Sequence, residues 1–109
     1  MPSRLETIQA MLVSNPRDVF LNYSLAMELL SAGKTDDAAA QFAKVIALDP
    51  SYLPAYVEAG KAYRAAGKLA DARTVFTDGL KLAAAKGDAH VRDHIQQQLE
   101  GLRPSVNEQ

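Results

Sequence analysis

SAGKTDD, Ser31 to Asp37, closes an apolar run with the Gly-Lys-Thr found at the end of many nucleotide-binding loops. A phosphate-cradling loop of that kind needs an earlier glycine five positions before the second, and that place holds Glu28. Such a loop also follows a buried strand, so that the next helix aims its amide dipoles at the phosphates. Here Leu25, Leu29 and Leu30 precede the glycine at the spacing of a helix face. The stretch therefore reads as a turn between two helices.

Further along, AAGKLADA, Ala65 to Ala72, repeats the same pattern. Gly33 and Gly67 are 34 residues apart, and at that offset Lys34 matches Lys68, Asp37 matches Asp71 and Ala38 matches Ala72. Phe42 and Phe76 follow suit, as do Leu48 and Leu82, and Asn15-Pro16 precedes Asp49-Pro50 by the same distance. A period of this length is one supersecondary unit that cannot bury its apolar face alone. The first half of each unit reads as a helix stopped by glycine, which tolerates the left-handed backbone of a helix end. The second half reads as a helix from about Asp36 to Leu48, ended by Pro50, which cannot continue the backbone ladder and biases Asp49 away from helical dihedrals.

The bulk numbers agree with helices. With 109 residues, 48% of them hydrophobic and rich in alanine and leucine, the chain suits a single domain with a real core. The net charge of -1, from 12 basic and 13 acidic residues, lacks the clustered cations that nucleic-acid binding requires. No cysteine is present, which excludes disulfides, thiolate metal sites and a cysteine nucleophile. The N-terminal stretch MPSRLETIQAMLVSN lacks the apolar core and cleavage site of a secretory signal, and no apolar run is long enough to span a bilayer. The expectation is a soluble, cytoplasmic protein with no membrane association.

At the ends, Leu5, Ile8 and Leu12 form an apolar stripe expected to pack on the helix carrying Leu25 and Leu29. In the second unit Ala84 stands where proline is expected, so the helix from Leu69 runs on until Gly87. Asp88 then caps a last helix with Val91, Ile95, Leu99 and Leu102 along one face, backed by polar residues as a short array needs.

Candidates for chemistry are few. His90 and His94 sit four apart on that last helix, a spacing able to hold a metal. HVRDH has Val91 where a zinc hydrolase carries its glutamate, so the pair reads as two partly exposed histidines. Asp36 and Asp37 read as helix-start carboxylates meeting the positive end of the dipole. There is no Gly-x-Ser-x-Gly elbow and no glycine-rich dinucleotide loop. Neither an enzyme activity nor a cofactor nor a metal is expected.

The chain resembles the tetratricopeptide repeat family. The first full unit carries Asn22 in the family's bulky slot, then Leu25, Ala26, Leu29, Gly33, Ala38, Phe42 and Pro50. The second carries Tyr56, Ala59, Gly60, Tyr63, Gly67, Ala72 and Phe76; Ala59 in the leucine slot and Ala84 in the proline slot depart from the pattern. The small residues Ala26, Gly60, Ala38 and Ala72 let paired helices approach closely. The resemblance implies an all-α solenoid of antiparallel helix pairs, about six helices in a right-handed superhelix. Its expected layout is one domain over 1–103: a half repeat at 3–16, full repeats at 19–52 and 53–86, a capping helix at 88–102, then a flexible tail at 104–109.

By the same resemblance, the first helix of each pair lines a concave groove that holds partner peptides. The residues expected there are Phe20, Tyr23, Met27 and Leu30, then Val57, Glu58, Lys61 and Arg64, with Arg92 from the last helix. Domains of this family that grip the acidic tails of heat-shock chaperones use lysine, asparagine and arginine at positions matching Tyr23, Met27, Glu58, Asp88 and Arg92. Only the arginine agrees, and Glu58 and Asp88 would repel a carboxylate. The expected function is a protein–protein interaction module. The alternative is a structural subunit that self-associates, in keeping with a weak homodimer, or caps a larger assembly, without a peptide-binding groove.

Overall fold

The computed structural model describes residues 1–102, and these form six α-helices: α1 (Arg4–Ser14), α2 (Val19–Ser31), α3 (Thr35–Leu48), α4 (Leu53–Ala65), α5 (Leu69–Lys86) and α6 (Ala89–Gly101). The tail expected at 104–109 lies outside the described residues. Each helix packs on its neighbours in sequence, and α2 also touches α4. The product is an elongated stack of 50 × 31 × 19 Å, an all-α helical-repeat solenoid.

Local chemistry sets the helix ends. Ser3 and Glu6 form a reciprocal cap on α1: the Glu6 amide donates to Ser3 Oγ at 3.1 Å and the Ser3 amide to Glu6 Oε1 at 3.0 Å. That hydrogen-bonding holds the Glu6 carboxyl below its usual range. Asp18 accepts from the Leu21 amide at 2.8 Å, and Asp88 from the Val91 amide at 3.0 Å.

Both glycine-lysine corners are helix terminators. Gly33 and Gly67 each have φ 78°, in the left-handed region. The Gly33 amide donates to Leu30 O and the Lys34 amide to Leu29 O, both at 3.0 Å. At the second corner the Gly67 and Lys68 amides donate to Arg64 O and Tyr63 O at 3.0 and 2.8 Å. The amides that a phosphate would need are already bound to the carbonyls of the preceding helix. The corners are also tied to each other, because Lys68 Nζ lies 3.1 Å from Asp36 Oδ1 on the surface.

Packing then follows from small residues facing large ones. Ala26, Ala38, Ala39, Phe42, Ala59 and Ala62 form one buried cluster across α2, α3 and α4. Ala72, Phe76, Ile95 and Leu102 form a second, where α5 meets α6. Gly60 must be glycine, since a Cβ there would lie 2.2 Å from Phe76 Cε1. Gly79 has the same role, not evident in the sequence: its Cβ would lie 2.8 Å from Tyr56 Cβ.

Candidate functional site: the concave face

An open concavity of about 540 Å³ lies where α2, the start of α4 and the start of α6 face one another. α2 contributes Tyr23, and the α4 end contributes Tyr52, Leu53, Pro54, Val57 and Glu58. From the far side come Lys86, Asp88, His90, Val91 and His94. Its lining combines aromatic and aliphatic side chains with the charged Glu58, Lys86 and Asp88.

Tyr23 anchors that lining. Its ring meets Phe42 of the core edge-on, with centroids 5.7 Å apart, and meets Tyr52 likewise at 5.3 Å. Partial burial, then the negative charge of Glu58 and the neighbouring Tyr52, pushes its hydroxyl up to about 12. Tyr23 therefore stays a neutral phenol, joining core to groove.

Glu58 is the other notable group. Its side chain is only 18% exposed, and its nearest cation among the described residues is Lys61 Nζ at 3.6 Å. Lys86, in the same lining, helps hold the Asp49 carboxyl below its usual range, after the two hydrogen bonds that Asp49 accepts from Ser51.

Of the nine residues expected in the groove, Tyr23, Val57 and Glu58 come together here. Met27 and Leu30 lie half-buried against the first core cluster. Phe20 is 67% exposed on α2 and does not line the concavity. Lys61 pairs back to Glu58 on its own helix, and Arg64 hydrogen-bonds the Gln98 side chain, linking α4 to α6. Arg92 does not line the concavity and pairs with Asp93 at 3.4 Å.

Tyr52, Pro54, His90, Val91 and His94 are among the lining residues that were not expected there. A uniform 34-residue offset carries Glu58 onto Arg92, yet α4 and α6 start 36 residues apart, at Leu53 and Ala89. The cause is α5, which has 18 residues against 14 in α3, four more, less the two by which the turn after it is shorter. Burial obeys the longer offset: Ile95, like Ala59, is fully buried, whereas Asp93 is exposed. At that offset His94 takes the place of Glu58, and His90 that of Pro54. The four-residue spacing of the histidines was the available signal, since it puts both on whichever face one of them occupies. Among the described residues, no three His, Asp or Glu side chains are grouped to hold a metal ion. No described helix is long and apolar enough to cross a membrane.

Comparison with known proteins places this geometry in a family. The tetratricopeptide repeat family matches residues 29–93, and the chain belongs to it. A TPR repeat-containing protein of Pseudomonas aeruginosa is 34% identical over 84 residues, 77% of this chain and 80% of that one. The solution structure of a Bordetella parapertussis protein superposes with a TM-score of 0.82 at 27% identity, covering 94% of this chain and 89% of the other. PcrH, solved in complex with the chaperone binding region of PopD, gives a TM-score of 0.83. At 19% identity, over 90% of this chain and 74% of PcrH, that likeness is one of fold.

Proposed function

We propose that this chain is a protein–protein interaction module whose concave face holds a segment of a partner polypeptide. The observation that carries the reading is the open concavity lined by Tyr23, Tyr52, Val57 and Val91. These aromatic and aliphatic side chains line an accessible hollow, and such a surface is what partner segments bury. Family membership supports the reading, as does a protein of the same fold, PcrH, with a bound partner region.

Affinity purification from native lysate, followed by mass spectrometry, tests it. Val57→Asp is expected to lose the partner that the unaltered chain captures. Arg92→Ala, outside the concavity, is expected to retain it. Capture that survives Val57→Asp, in a variant with unchanged circular dichroism, refutes a groove-bound partner.

A second reading, self-association, draws on the N-terminal end of the stack. Val13 is 83% exposed, Phe20 67% and Met11 50%, large apolar side chains left to solvent on α1 and α2. Elution volume over a wide concentration range tests it; a concentration-independent monomer rejects the homodimer.

A further inference from the structure

Two carboxylates, Glu58 and Asp88, line the concave face. The Glu58 side chain is 18% exposed and takes part in none of the hydrogen bonds among the described residues; its ion pair is with Lys61 of the same helix, at 3.6 Å. Among the described residues no buried side-chain oxygen lacks a hydrogen bond, so the Glu58 carboxylate still meets solvent and stays open to a further donor. Asp88, across the concavity, uses Oδ1 to accept from the Val91 amide at 3.0 Å. Both acids line a hollow that also holds Tyr23, Tyr52, Lys86, His90 and His94. The one lysine among them, Lys86, is close enough to Asp49 to lower its carboxyl. Tyrosine faces attract cations, and apolar walls receive the methylene stem of a long basic side chain.

We infer that the concavity takes a lysine or arginine of the partner segment, its cation against Glu58 and Asp88 and its stem along Tyr23, Tyr52 and Val57. The inference rests on the groove reading above and adds the chemistry of the occupant. An acidic segment is disfavoured here, because it would bring a third carboxylate to a face that already holds two. The attraction is between partly screened charges, so binding weakens as salt is raised.

A phage-displayed library of random dodecapeptides, selected on the immobilised full chain, tests this. The expected pool is enriched in sequences with lysine or arginine beside a bulky apolar residue. Synthetic peptides from that pool are expected to bind Glu58→Gln about tenfold more weakly, the loss of one charge-assisted contact. Glu58→Lys should instead select peptides carrying aspartate or glutamate. His90→Trp, an exposed position that fills the concavity, should block both. A pool lacking basic residues but blocked by His90→Trp, or basic peptides indifferent to Glu58→Gln, overturns the charge assignment and leaves the groove standing. A pool indifferent to His90→Trp, or no enrichment at all, overturns the groove reading together with it.

Discussion

Asn22 and Tyr56, 34 residues apart, reach the same backbone atom of their repeats with unlike side chains: the carbonyl of the proline six residues earlier. Asn22 Nδ2 donates to Pro16 O at 3.1 Å, and the Tyr56 hydroxyl donates to Pro50 O at 2.7 Å. Each bond ties the start of a repeat's first helix to the turn before it. Asn22 is completely buried and does more, donating to Asp18 O at 2.8 Å and accepting from Gln41 Nε2 at 2.7 Å. The tyrosine fills its slot by size, the asparagine by a small polar network joining α2 to α3.

These two bonds predict unequal costs. Tyr56→Phe removes one hydrogen bond and should destabilise by about 1 kcal/mol. Asn22→Ala strands Gln41 and the Pro16 carbonyl and leaves a void, so about 2–3 kcal/mol is expected. Urea unfolding followed by circular dichroism reads both. Equal losses would mean that the Gln41 contact contributes nothing.

Two glycines should respond to alanine in opposite directions. At Gly60 the new Cβ would lie 2.2 Å from the Phe76 ring, so Gly60→Ala should cost about 3 kcal/mol or more, through an overpacked interface. Gly101 closes α6 with nothing within 4 Å of an added Cβ. Gly101→Ala should be neutral or stabilising by up to about 1 kcal/mol, from lower chain entropy in the unfolded state. Melting temperatures of the pair decide it.

Alkaline pH should loosen the stack through its tyrosines. Tyr23 is raised to about 12 from 10.0, so the folded chain keeps a proton that the unfolded chain has already released. The stability this provides is whole below pH 10 and is lost as pH rises toward 12. Tyr56 moves the same way, mainly by burial and then by the charges of Asp78 and Asp49. After discounting for solvent at the partly buried Tyr23 ring, about 1 kcal/mol of pH dependence is expected from it. Tyr23→Phe should flatten the slope of unfolding free energy against pH in that window; an unchanged slope contradicts the assignment.

A bound peptide should leave a recognisable footprint in the NMR spectrum. Shifts are expected for the Val57 and Val91 methyls and for the rings of Tyr52 and His94, which line one hollow. Leu25, behind α2 in a separate hollow with Gln41 and Lys44, should not move. Movement centred on Leu25 would place the binding face on the opposite side.

The corners and helices were legible because their determinants are local. Gly33 and Gly67 announce left-handed turns, and the absence of proline at Ala84 announces the long α5. Recurrent alanines announced close packing, and Gly60 against Phe76 is its tightest instance. Gly79 was not legible, because only the crossing of α4 and α5 brings Tyr56 to it. For the site, Tyr23, Val57 and Glu58 could be found from the repeat pattern on α2 and α4. Met27 and Leu30 share α2 with Tyr23 and pack on the same core cluster, yet only Tyr23 also lines the hollow, which no spacing along one helix reveals.

On its own, the order of amino acids determined that this protein is a row of paired helices with glycine turns, because helix formation and termination depend on neighbours a few residues away. Tertiary structure alone decided that α2, α4 and α6 bound one hollow. Each helical residue turns about 100°, so the two extra residues between the starts of α4 and α6 rotate the α6 pattern by about 200°. That rotation takes Arg92 out of the concavity and brings His90 and His94 into it.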